Sequence, residues 1–166
     1  MNHVIAVREL TLSLNIVNKN MEDLSKYCSG NTNITDQILR FDEQVALRTI
    51  TFLPENNISN PTVVFVPGWI SLINGWQEVL REMTQDFKIH YVETREKGSS
   101  MMHENVEYSV EAIGMDLVNL VSELELKGSD YLLLGSSLGA TAILDCCKLL
   151  KSKPLCLVLI GPNAEF

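Results

Sequence analysis

Apolar positions along this chain fall into two patterns, short continuous runs and longer stripes at helical spacing, and the two alternate over most of its length. Thr62-Val63-Val64-Phe65-Val66 is β-branched or aromatic throughout. A run without polar alternation suits a strand covered on both faces, as in a parallel sheet. Phe87 to Val92, Tyr131 to Leu134, and Leu155 to Ile160 (opened by Pro154) predict three more strands. Between them, Trp76, Val79, Leu80 and Met83 share one face of a helix over 76–85. Val110, Ile113, Leu117, Leu120, Val121 and Leu124 predict a helix over 109–126, stopped by Lys127-Gly128. Another helix follows Ser137 and runs to about Lys151. The order from Thr62 is therefore strand, helix, strand, helix, strand, helix, strand. It implies right-handed crossovers between parallel strands, with helices on both faces of the sheet. Sites in such sheets form at the carboxyl ends of the strands.

The earlier part of the chain is patterned differently. Leu10, Leu12, Leu14 and Ile16 alternate with polar residues, as in a strand, and 21–28 suits a short helix. Ser29 to Asn33 reads as a loop. Gln37 to Arg40 and Val45 to Phe52 read as two strands around an Asp42-Glu43-Gln44 turn. Residues 54–61 and 93–107 are polar connections. The expected organisation is an N-terminal extension of undetermined structure over 1–36 and a partial α/β domain over 37–166.

Composition narrows the function classes. A chain of 166 residues, 46% hydrophobic and 20% charged, suits one soluble globular domain. A net charge of -8 argues against nucleic acid as a partner, because phosphate contacts need clustered Lys and Arg. Arg8 and Glu9 interrupt the mildly apolar N-terminus, and no run approaches a membrane span, so a cytoplasmic protein without membrane contact is expected. Cys28, Cys146, Cys147 and Cys156 form no Cys-x-x-Cys pair. They read as small apolar residues in a reducing compartment, with no metal site. No Gly-rich nucleotide loop follows a strand, and no cofactor is expected.

One segment carries chemistry. Gly135-Ser136-Ser137-Leu138-Gly139 has Gly-x-Ser-x-Gly spacing, with an apolar strand before it and an apolar-periodic helix after it. A strand turning sharply into a helix strains its central residue, and glycines on either side remove side chains that would clash. The serine hydroxyl is lifted to the helix N-terminus, where free N–H groups favour negative charge. The plainer reading is that Ser137 or Ser136 simply caps the helix.

With this turn in this context, residues 37–162 resemble the first half of an α/β-hydrolase: a mostly parallel sheet with helices on both faces, its C-terminal strands and lid absent from this chain. The resemblance implies that Ser137 is a nucleophile and that the backbone N–H of Leu138 is one oxyanion donor. A second donor would be the N–H of Trp69 in Val66-Pro67-Gly68-Trp69, where Pro67 stands in place of the family's usual histidine. Gly135 and Gly139 are the elbow glycines. Glu93-Thr94-Arg95-Glu96-Lys97-Gly98-Ser99-Ser100 is similar to the family's Asp-x-Arg-Gly-x-Gly-x-Ser stretch. Taken alone, Arg95 and Gly98 read as a solvated loop with a turn glycine.

In that family the acid and then the histidine follow the serine. Here no histidine follows Ser137; the three are His3, His90 and His103. His103, in the loop after the 87–92 strand, and Glu165, after the last strand, are the secondary candidates. Asp145 lies two turns down the helix and points away. The last strand would be an apolar edge, so a missing C-terminal segment or a dimer is expected to cover it. Two functions follow. One is a serine hydrolase acting on a small ester or related acyl substrate, present as a truncated chain. The alternative is a catalytically incomplete binding or interaction module.

Overall fold

The strand and helix pattern is realised around one twisted sheet, with a core on each side of it. The computed structural model describes residues 23–40, 44–56, 60–103 and 105–163. The readings that fall on 10–16, on Asp42 and Glu43, on His3 and on Glu165 lie outside the described residues.

The strands are β1 (Thr32–Arg40), β2 (Val45–Pro54), β3 (Thr62–Val66), β4 (Ile89–Glu93), β5 (Met101–Met102), β6 (Tyr131–Ser136) and β7 (Leu157–Ile160). The helices are α1 (Gln77–Met83), α2 (Val110–Glu123) and α3 (Leu138–Cys146), with short 3-10 turns at Leu24–Tyr27, Ile73–Trp76 and Gly128–Asp130. The strand order is β1-β2-β4-β3-β6-β7, with β5 also on β2. The pairs β4/β3, β3/β6 and β6/β7 are parallel, and every pair involving β2 is antiparallel.

Alternate residues of each buried strand point to opposite faces. Ile50, Phe52, Val63, Phe65, Ile89 and Tyr91 meet Leu80 of α1 and Tyr27 on one side. Leu47, Val64, Val66, Val92 and Leu133 meet Ile113, Leu117 and Leu120 of α2 and Ile143 of α3 on the other. Phe65 anchors the first core, edge-on to Trp76 at 4.8 Å and to Tyr91 at 5.5 Å between ring centroids.

Several boundaries differ from the sequence expectation. β1 starts at Thr32, inside the expected loop, because β2 extends to Pro54 and pairs with it from Thr32 onward. The 76–85 helix is a 3-10 turn followed by a shorter α-helix; Asn74 and Gly75 are poor helix formers at its start. Phe87 is not in β4: its N–H donates back to Met83 O at 2.9 Å, closing the helix end. α3 stops at Cys146, not Lys151, and Lys153 Nζ donates to the late carbonyls of Cys147 and Lys148, each at 2.9 Å. The helix from Val110 is capped by Ser109, whose Oγ accepts from the N–H of Ala112 at 3.2 Å.

β7 pairs only with β6 among the described residues. Leu157 and Leu159 pack toward α3, whereas Val158 and Ile160 are exposed on the α1 side.

Candidate active site

The carboxyl ends of β3, β4 and β6 bring three loops together. Ser137, between β6 and α3, has φ 49° and ψ -117°. That lies outside both helical wells, a strain on the order of 1–3 kcal/mol that only a constrained turn sustains. The constraints are visible. The Ser137 N–H donates to Ile160 O at 2.8 Å, and Ser137 O accepts from the Thr141 N–H at 3.0 Å and from Thr141 Oγ1 at 3.1 Å. A Cβ on Gly139 would lie 2.2 Å from Val66 O, and one on Gly135 would lie 2.7 Å from Ala140 Cα. Neither position admits any larger residue without moving backbone. The Ser137 side chain makes no capping hydrogen bond, and the residue is exposed. The helix-cap reading is therefore not what this turn does.

Leu138 is the first residue of α3. First-turn N–H groups have no partner within their own helix, and the helix dipole adds positive character there. The loop after β3 closes on the same spot. A Cβ on Gly68 would lie 3.2 Å from Ser137 Cβ and 3.4 Å from Ser136 O, so Gly68 abuts the serine. Pro67 and Gly68 are buried, but the Trp69 side chain is 67% exposed and Ile70 89%. Leu72, in the same loop, is exposed as well.

The loop after β4 supports this arrangement with buried charged groups whose partners residue type alone does not reveal. Lys97 is buried, and its Nζ donates to Gly68 O at 2.6 Å and also to Trp69 O. Glu96 Oε1 lies 3.3 Å from the same ammonium and accepts from Thr94 Oγ1 at 2.7 Å. Arg95 is not a solvated loop residue. It is buried and forms a bidentate pair with Asp116 of α2, at 2.8 and 2.7 Å, and donates to the carbonyls of Glu107 and Ala112. Gly98 is exposed, with open space about it. Glu93, at the end of β4, has its carboxyl raised above the usual range by burial, against the opposing pull of Arg48 at 3.6 Å.

Neither of the two described histidines bonds to Ser137. His90 is buried in β4 with Nδ1 2.8 Å from Thr51 Oγ1, and burial pushes its imidazole down to about 4. His103 is exposed, its N–H bonded to Gln44 O beside β2. β5, which leads into it, lies in the β4 column of the sheet, two strand spacings or about 10 Å from β6. Asp145 faces α2, its Oδ2 3.1 Å from where a Cβ on Gly114 would sit. Among the described residues no group of three or more His, Cys, Asp or Glu could hold a metal ion. Nor is any described helix long and apolar enough to cross a membrane.

No family model and no curated protein matches the chain. Solved structures do. It is similar to a membrane phospholipase A described as a bacterial virulence factor (15% identity, 96% of this chain and 46% of that one, TM-score 0.69). It is also similar to a deformylase from Pseudomonas putida S16 (23% identity, 77% and 47%, TM-score 0.64). A third is the epoxide hydrolase CorEH (16% identity, 78% and 43%, TM-score 0.64). The chain has the α/β-hydrolase fold, and it spans under half the length of these structures.

Proposed function

We propose that this chain supplies the nucleophile and the oxyanion donors of a serine hydrolase acting on a small ester or related acyl substrate. The observation that carries the reading is the strained backbone of Ser137, with its side chain free of any capping role and Gly68 against it. Backbone strain kept at one exposed serine points to use of that hydroxyl.

In this reading Ser137 Oγ adds to the substrate carbonyl carbon, and its proton passes to a histidine base contributed from outside the described residues. The carbonyl electron pair moves onto oxygen, where the main-chain N–H groups of Leu138 and Trp69 stabilise it. Collapse expels the leaving group with that proton and leaves an acyl-serine, which water then hydrolyses by the same steps. Trp69, Ile70 and Leu72, exposed apolar side chains of the loop that begins at Gly68, suit a hydrocarbon portion of the substrate.

A fluorophosphonate probe applied to the full-length protein tests this. Labelling at Ser137, abolished in Ser137→Ala, is expected. Labelling that persists in the alanine variant, or a wild type that is never labelled, sinks the reading and favours a module that binds without turnover.

A further inference from the structure

Lys97 presents a problem of burial. An ammonium taken out of water is destabilising unless its protons find acceptors. Lysine in a polar loop ordinarily extends into solvent, yet Lys97 is only 8% exposed. Its reach is to backbone nearly thirty residues earlier, the carbonyls of Gly68 and Trp69, with the Glu96 carboxylate beside it. Those three acceptors match the three protons of an ammonium.

The choice of acceptors has a geometric consequence. Gly68 C=O and Trp69 N–H belong to one peptide group. There is no cis peptide among the described residues, and in a trans peptide the C=O and N–H point in opposite directions. An ammonium that holds the Gly68 carbonyl on one side therefore directs the Trp69 N–H to the other. Gly68 O also accepts from the Ser71 N–H at 3.2 Å, so the turn over 68–71 is fixed from two sources. Ser137 abuts this turn at Gly68. Polarising a carbonyl with a cation also strengthens its own N–H as a donor.

We propose that Lys97 is a positioning residue: its ammonium fixes the orientation of the Gly68–Trp69 peptide so that the Trp69 N–H faces the reaction space above Ser137. The inference rests on the hydrolase reading for its catalytic meaning, but not for the orientation itself.

The test uses the full-length protein with Lys97→Met, which keeps the stem and removes the charge, and Lys97→Arg, which keeps the charge. Lys97→Gln replaces the methionine variant should that one not fold. Crystal structures report the orientation of the peptide; fluorophosphonate labelling and kcat and KM on a p-nitrophenyl ester report the chemistry. In Lys97→Met the peptide rotates, and labelling and kcat fall about 10- to 100-fold, short of the roughly 100- to 1000-fold cost of deleting an oxyanion donor outright, while KM changes less than about two-fold. Lys97→Arg recovers at least part of the rate. A methionine variant with unmoved peptide and undiminished rates overturns the proposal. A wild type that is never labelled, together with a rotated peptide in Lys97→Met, would instead refute the hydrolase reading and leave the orienting role of Lys97 standing.

Discussion

At the scale of single residues, the site is a matter of how closely three backbones approach. Gly139 runs so near β3 that a methyl group there would overlap Val66 O at 2.2 Å. Gly68 is less extreme: its methyl would meet Ser137 Cβ at 3.2 Å and Ser71 Oγ at 3.3 Å, tight contacts that yield to a displacement of a few tenths of an ångström rather than a rebuilt backbone. The two alanine substitutions should therefore separate. Gly139→Ala has to displace backbone and should destabilise the protein by roughly 3 kcal/mol or more, the upper range for overpacking. Gly68→Ala should cost less than about 1 kcal/mol in stability. It nudges the serine itself, however, and should slow labelling of Ser137 by roughly 10-fold or more, since small misplacements of reacting groups are costly. Urea unfolding midpoints and labelling rates, measured on both variants, check the split. Equal losses in both quantities for both variants would contradict it.

At the scale of elements, the loop between β4 and α2 is the piece that organises the others. Arg95 ties it to α2 through Asp116, and Lys97 ties it to the loop after β3. Asp116→Ala would leave the buried Arg95 charge without its carboxylate, with only carbonyl acceptors, and a loss of roughly 3 kcal/mol is expected in urea unfolding. Arg95→Leu combined with Asp116→Leu removes both charges and should cost less than that single change. This loop is also where sequence reading stops short. β3 was legible in Thr62–Val66 because burial on both faces leaves an unbroken apolar run, and α2 because its stripe has a period that no strand shares. The turn at Ser137 was legible because steric exclusion leaves glycine at fixed offsets. Lys97 was not, because its partners are backbone carbonyls, which leave no signature in residue type. Arg95 was misread for a related reason: a guanidinium in a polar stretch looks solvated until its distant partner, Asp116, is brought beside it by the fold. The two-residue strand β5 escaped notice because Met101 and Met102 are too short a run to show any period.

At the scale of the whole molecule, the flank of β7 that no described strand pairs sets the behaviour of the chain. The backbone of an edge strand offers unsatisfied N–H and C=O groups, and soluble proteins protect such edges with charge, proline or a covering element. Here Val158 and Ile160 are exposed beside exposed Leu155, so the edge is apolar and carries no charge between Leu155 and Ile160. More than half of each matched structure has no counterpart in this chain, which leaves room for a segment that continues the sheet. We expect the 166-residue chain, produced alone, to self-associate with rising concentration through this flank. Val158→Lys places an ammonium on the exposed face of β7 and should shift the association to higher concentration by sedimentation velocity. In a protein where further strands cover β7, the same lysine is buried, and melting should drop rather than solubility improve. A 166-residue chain that stays monomeric at hundreds of micromolar, with Val158→Lys sedimenting identically, would mean that the edge is protected by residues of this chain itself.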